Sequence, residues 1–248
     1  LESGSREGGG GASLLGVLDH TRTPMGARLL RRRVSRPSLE RDVIEERLDL
    51  VEALVTRIDL QSELRDILKT VGDLERLANR LRRKSASPPD VRRVATALNS
   101  VAAVREALAT ADGSLALAHD QIDSCEECLA LINDAVGDGD RTIRAGYSDE
   151  LDRLVGVMES AKTWIADLES RERSRLGIKS LKVRFNRVFG YFIEVGRAHA
   201  SKMPATYERR QTLANSERYV TPELKEHETA VLNAEEQIET IESVLFEE

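Results

Sequence analysis

Over most of the first 135 residues the apolar positions recur at intervals of three and four. Ile44, Leu48, Val51 and Leu54 form one series; Leu60, Leu64, Ile67 and Val71 form another; Leu74, Leu77 and Leu81 follow. Val91, Val94, Leu98, Val101, Val104 and Leu108 make a longer series, and Ile122, Cys125, Leu129 and Ile132 close the set. Such spacing places each series on one side of an α-helix and predicts a buried stripe there. The series are separated by breakers. Pro37-Ser38, the run SASPPD at 85–90, Ala111-Asp112-Gly113 and the Gly/Asp-rich run at 136–147 all disfavour helix. Thr23-Pro24 and Thr221-Pro222 each put a hydroxyl at an N-cap and proline at the first helical position.

Leu151, Leu154, Met158, Ala161, Ile165 and Leu168 then alternate steps of three and four, which is a heptad seam. It predicts a helix from about Ser148 to about Arg175. Leu224, Val231, Ile238, Ile241 and Leu245 mark a second long helix. Two such helices joined through a compact insert should pair antiparallel, as a stiff lever about 42 Å long at 1.5 Å per residue. Between them the period changes to two. Leu181, Val183 and Phe185 alternate with Lys182, Arg184 and Asn186, so one sheet face is apolar and the other charged. Tyr191 to Val195 reads as a second strand and Tyr207 to Leu213 as a third. The expected fold is mainly α: a multi-helical core, a long antiparallel helical lever and a small inserted antiparallel β module held at its tip. The expected boundaries are a Gly/Ser-rich linker over 1–13, helical core and lever over 14–160 and 222–248, and the β module over 161–221.

Charge separates the β module from the rest. Residues 179–220 carry nine Lys/Arg and three Asp/Glu, in a chain of formal net charge −6. Six of the nine aromatic residues lie there as well. A basic island with interleaved aromatics in an acidic protein reads first as a nucleic-acid contact. Asn186 and Arg187 fall near a hairpin bend, and Arg197, Ser201 and Lys202 in a loop. Arg209, Gln211, Asn215 and Arg218 form a second group. Strand alternation puts Arg209 and Gln211 on one face and Arg210 on the other. Phe185, Phe189 and Phe192 are expected in the module's own core, with stacking on bases as the alternative. His199 is read as a surface residue near phosphate.

Other candidate chemistry is thin. Cys125 and Cys128 form a CxxC without a second ligand pair for zinc, and Cys125 falls on the apolar stripe, so core packing is the expectation. Asp138 and Asp140 lack the remaining ligands of a calcium loop. The four histidines are scattered, without an activating partner. No phosphate-loop pattern occurs. Arg31, Arg32 and Arg33 leave two readings open, a solvated or salt-bridged helix face and a nucleic-acid contact. No apolar run approaches the length of a membrane span and no signal-peptide pattern opens the chain. With two cysteines and no disulfide framework, the expected setting is intracellular.

The run LKVRFNRVFGYFIEV, followed by RRQTLANSERYVTPELKEHE, resembles the clamp segment of the MutS family of DNA mismatch repair proteins. The run from Leu14 to Leu30, containing LDHTRTPMGARLL, is similar to the same family, with Arg33 where that family usually has Trp. VGDLERLANRL and IRAGYSDELDRL add to the likeness, which covers about Leu14 to Phe246. It implies the family's core and lever with an inserted clamp that closes over the backbone of double-stranded DNA. Asn186, Asn215 and the neighbouring basic residues match motif positions of that clamp. It further implies a fragment: no mismatch-reading domain, and no ATPase domain with its ATP and Mg, so no cofactor and no catalysis in this chain. A MutL-type repair partner and a homodimer or heterodimer are implied for the whole protein, with a monomer expected for this stretch. The implied location is the cytoplasm and nucleoid, or the nucleus in a eukaryote. A relative acting on recombination junctions, and a structural coiled-coil arm whose β tip binds protein, remain as alternatives.

Overall fold

A computed structural model describes residues 13–139 and 141–248. The expected linker lies outside these residues except for Ser13, and so does Asp140. The chain forms two compact units, meeting at Arg144 and Ala145.

The first unit is helical. α1 (Leu14–Leu18), α2 (Pro24–Ser35), α3 (Arg41–Val55), α4 (Ile58–Leu68), α5 (Leu74–Arg82), α6 (Pro88–Leu108), α7 (Gly113–Asp120) and α8 (Glu126–Ala135) follow in order. The caps set the boundaries. Thr23 Oγ1 accepts from the Gly26 N–H at 2.9 Å, with Pro24 at the first helical position. Asp73 caps α5 through the Arg76 N–H. Ser87 and Asp90 form a reciprocal capping box that restarts the helix just after the SASPPD break. Val94, Ala95 and Leu98 of α6 pack with Ile132 of α8 and Val136, flanked by Leu74 and Leu77 of α5.

Two expectations fail in this unit. The stripe on α3 is not buried: Ile44, Leu48 and Val51 are 40%, 60% and 57% exposed. Helical periodicity marks a face that favours cover; it does not say what covers it. Cys125 is not in the core either. Its N–H is taken by Asp123 Oδ1 at 2.8 Å, and its backbone turns left-handed at φ 50°, so α8 starts only at Glu126. Both cysteines are exposed. Among the described residues no group of His, Cys, Asp and Glu could hold a metal, and no helix is long and apolar enough to cross a membrane.

The second unit is a helical hairpin carrying a sheet. α9 (Asp149–Leu176) and α10 (Pro222–Glu247) pack along their length. Trp164 stacks on His227 at 3.9 Å, while Lys162 pairs with Glu235 at 2.8 Å, so the helices run antiparallel. The heptad seam is buried as predicted, with Leu151 at 0% and Ala161, Ile165 and Leu168 at 4% exposure. β1 (Lys182–Asn186), β2 (Gly190–Gly196), β3 (Glu208–Thr212) and β4 (Ser216–Val220) form an antiparallel sheet in the order β1-β2-β4-β3. A 3₁₀ turn over Arg197–Lys202 follows β2. The sheet's inner face (Ile193, Val195, Tyr219) meets Ile165, Leu168, Leu181, Leu224 and Val231 in one core. β4 was not expected from the sequence.

Three helix carboxylates hold the sheet. Glu169 of α9 accepts the Val183 N–H at 2.9 Å. Glu172 of α9 accepts the Tyr207 hydroxyl and chelates Arg175. Glu228 of α10 accepts the Tyr191 N–H at 3.1 Å and pairs with Lys225 at 2.7 Å. Glu228 also explains Gly190. That residue has φ +72°, and a Cβ there would lie 1.5 Å from a Glu228 oxygen. Gly190→Ala is therefore expected to destabilise this unit by about 2–4 kcal/mol in urea unfolding, combining left-handed strain with the clash. Adding Glu228→Ala should recover the clash portion. Equal stability of Gly190→Ala and the parent would refute the contact.

Candidate nucleic-acid interface

The alternation of β1 places its side chains as read. Val183 and Phe185 pair with Ile193 and Tyr191, toward the inner face, while Lys182 and Arg184 oppose Glu194 and Phe192 on the outer face. Of the three phenylalanines expected in the core, only Phe192 is buried. Phe185 and Phe189 are 52% and 47% exposed, beside Val188 in the β1–β2 turn at 81%. Phe192 is sealed by Arg218, whose guanidinium lies 4.4 Å above its ring.

A bulge changes the reading of β3. Arg209 opposes Tyr219, but Gln211 opposes Arg218, so one extra residue sits between them. Cross-strand partners share a face. Arg209 therefore goes with Tyr219 and Gln211 with Arg218, on opposite faces, contrary to simple alternation. The bulge brings Arg210 to the outer side, where it lines a cleft of about 230 Å³ with Gln211, Arg218, Phe189 and Lys225. Sequence reasoning passed over Arg210 and Lys225 as site residues. Period-two alternation alone could have nominated Lys182 and Arg184.

The nine cations of this region divide into two classes. Four are compensated inside the sheet. Arg184 and Arg218 share Glu194 at 3.8 and 3.3 Å, Arg209 meets Glu217 at 3.5 Å, and Arg210 meets Glu208 at 3.1 Å. Arg218 also donates to Gln211 Oε1 at 2.8 Å. The other five, Lys179, Lys182, Arg187, Arg197 and Lys202, are exposed and have no acid within 4.0 Å among the described residues.

The free cations cluster at the ends of the sheet. Arg187 lies in the β1–β2 turn, shaped by Asn186, whose Oδ1 accepts the Val188 N–H at 2.8 Å. Arg197 and Lys202 bound the 3₁₀ turn at the other end. There the Arg197 N–H donates to the Asn215 carbonyl at 3.2 Å, joining this loop to the β3–β4 turn. The seven-residue β2 separates the two ends by about 20 Å at 3.3 Å per residue. The structure thus brings Arg197, Lys202 and Asn215 to one end, leaves Asn186 and Arg187 at the other, and spends Arg209, Gln211 and Arg218 on the strands between.

The family model for MutS domain III matches residues 1–248. The chain belongs to the MutS domain III family. Relatives include the DNA mismatch repair protein MutS of Solibacter usitatus, 46% identical over 242 residues, and that of Bacillus cytotoxicus, 44% identical over 244 residues. Each match covers 94% of this chain, but 28% and 27% of the relative. The chain spans little more than a quarter of the length of these MutS proteins.

In this MutS domain the loop after β2 is held by Glu172. Burial works to raise the Glu172 pKa, but hydrogen bonds from Arg175 and Tyr207 outweigh it and hold the carboxyl below the ordinary range. Tyr207 is correspondingly pushed up to about 12 by burial and by Glu172. A depressed carboxyl pKa stabilises the fold above its unfolded value of about 4.3. That contribution is lost as pH falls through the folded pKa. Tyr207→Phe removes one donor and should cost about 1.5–3 kcal/mol at pH 7. Its deficit against the parent should shrink in urea melts below about pH 4. A deficit unchanged from pH 7 to pH 3 would contradict this assignment.

Proposed function

We propose that the β module is a clamp that grips duplex DNA by its phosphates, without sequence preference, as part of a MutS mismatch-repair protein. The observation that supports this reading is the partition of charge. The module's acids pair with the four strand arginines, and of the five uncompensated cations Lys179, Arg187, Arg197 and Lys202 stand on turns and loops, with Lys182 at the start of β1. Phosphate contacts position a duplex and carry no base information. Asn186 and Asn215 shape the two ends and offer amide donors beside the free cations. Arg187, Arg197 and Lys202 supply the charge; Arg209, Gln211 and Arg218 keep the sheet in register.

The antiparallel α9–α10 pair gives the clamp a stiff mount, and we assign it the role of a lever coupling DNA contact to the rest of the protein. ATP and Mg chemistry belongs, on this proposal, to residues outside this stretch, because no phosphate-loop sequence occurs within it. Partnership with a MutL-type protein, dimerisation of the whole protein and a nucleoid location extend the same reading.

Anisotropy titrations of matched and mismatched duplexes across a salt series test it. Both duplexes should bind equally, and log K should fall linearly with log salt. Neutralising Arg187, Arg197 or Lys202 should each lower that slope by about 0.9. Arg209→Ala should leave the slope unchanged. A tip made for a protein partner, using exposed Val188 and Phe189, would instead show no salt-dependent duplex binding.

A further inference from the structure

The arginine run that closes α2 has no part in the clamp. Arg32, Arg33 and Arg36 come together with Arg47 of α3 around a pocket of about 280 Å³, completed by Leu29 and Ser38. Other arginines of these helices find acids. Arg28 holds Asp73 and Glu75 at 2.7 Å each, and Arg41 holds Glu45 at 2.8 Å. The four at the pocket have no acid within 4.0 Å among the described residues, although α3 also carries Asp42, Glu46 and Asp49. Burial and the charges of Arg47 and Arg32 act on Arg33, lowering its pKa from the usual arginine value. The C-terminal dipole of α2 offsets only about half an elementary charge, against four guanidiniums.

Like charges that converge on one concavity, with no acid within 4.0 Å of any of them among the described residues, call for an anion from outside the unit. Leu29 gives the pocket an apolar wall. The Ser38 hydroxyl accepts the Glu40 N–H at 3.2 Å, and its own proton can turn inward. Guanidinium forks match tetrahedral oxyanions bidentately. Four of them exceed what a single carboxylate can neutralise. We infer that Arg32, Arg33, Arg36 and Arg47 form a second anion site, on the helical unit, that binds a phosphate group carrying two or more negative charges. The chemistry is that of a phosphate ester or pyrophosphate, supplied by a nucleic-acid backbone or by a free phosphate compound. This assignment does not rest on the clamp reading.

Calorimetric titration of the full chain with pyrophosphate, at ionic strength fixed with chloride, tests it. The double variant Arg33→Gln/Arg47→Gln should lose affinity about tenfold, and Arg41→Gln, which lies outside the pocket, should keep it. In chloride alone the double variant should melt at the parent's temperature or above it, because repulsion has been relieved. Loss of affinity would then not reflect unfolding. A parallel titration with labelled duplex separates the sources. A lower salt slope in the double variant identifies a nucleic-acid backbone; an unchanged slope with weakened pyrophosphate binding identifies a free phosphate. Equal pyrophosphate affinity in parent and double variant would overturn the site. So would polyglutamate binding that the double variant abolishes while pyrophosphate shows none.

Discussion

The sheet stays on its helical mount because three glutamates reach it from α9 and α10. A β module inserted into a helical hairpin presents a problem that a sheet within a sheet does not: backbone N–H groups at its margins face helices, which offer no strand edge to bond. Glu169 takes the Val183 N–H and Glu228 the Tyr191 N–H, each at about the length of a ladder bond. Glu172 holds the start of the β3 hairpin through Tyr207. Glu228 and Glu172 are themselves buried, at 2% and 8% exposure. Isolated, such carboxylates would be costly. Lys225 and Arg175, three residues along their own helices, supply the countercharge. The close approach of Glu228 also requires that residue 190 carry no side chain.

This arrangement explains why the outer region is basic. The carboxylates that secure the module belong to the helices, so its own three acids remain for pairing within the sheet, Glu194 and Glu217 across strands and Glu208 along β3. Glu194 stands between Arg184 and Arg218, and Glu217 accepts both Arg209 and the Tyr219 hydroxyl. Three acids serve four cations, and five more stand free. Four of the free ones, Lys179, Arg187, Arg197 and Lys202, lie outside the strands, where no cross-strand partner stands opposite them; Lys182, at the start of β1, opposes Glu194, which pairs with Arg184 and Arg218 instead. For those four, the lack of a countercharge follows from the topology as well as from the composition.

The parts legible in the sequence were those with a strong local period or a capping signal. The heptad of Leu151 to Leu168, the alternation of Leu181 to Phe185 and the Thr-Pro starts of α2 and α10 all specify local geometry through nearest neighbours. β4 escaped because it spans only Ser216–Val220 and runs into the cap of α10. The β3 bulge escaped because one extra residue reverses every later side chain, and nothing in RRQTL announces it. Cys125 was misread because a helical interval continues across a break that Asp123 imposes. Of the candidate interface, the excess of cations was legible but their division into paired and unpaired was not. Composition shows nine cations; only the register shows that Arg209 and Arg218 have acids opposite or beside them.

The separation of the free charges bears on how the proposed clamp would act. Its two ends are about 20 Å apart, more than two Debye lengths at physiological ionic strength. The ends therefore cannot reinforce each other as one extended field; each must meet its own phosphates at short range. The remainder of the chain is acidic, since the whole is −6 while residues 179–220 hold six more cations than acids. On the proposed reading, a duplex would be repelled by that remainder and drawn to the basic module, which would restrict the orientations of encounter before any contact forms. A grip built from separate, flexible side chains on turns can follow a bent or kinked backbone, because no single contact depends on ideal helical spacing. That tolerance would suit the proposed clamp, whose contacts are to phosphates and not to bases.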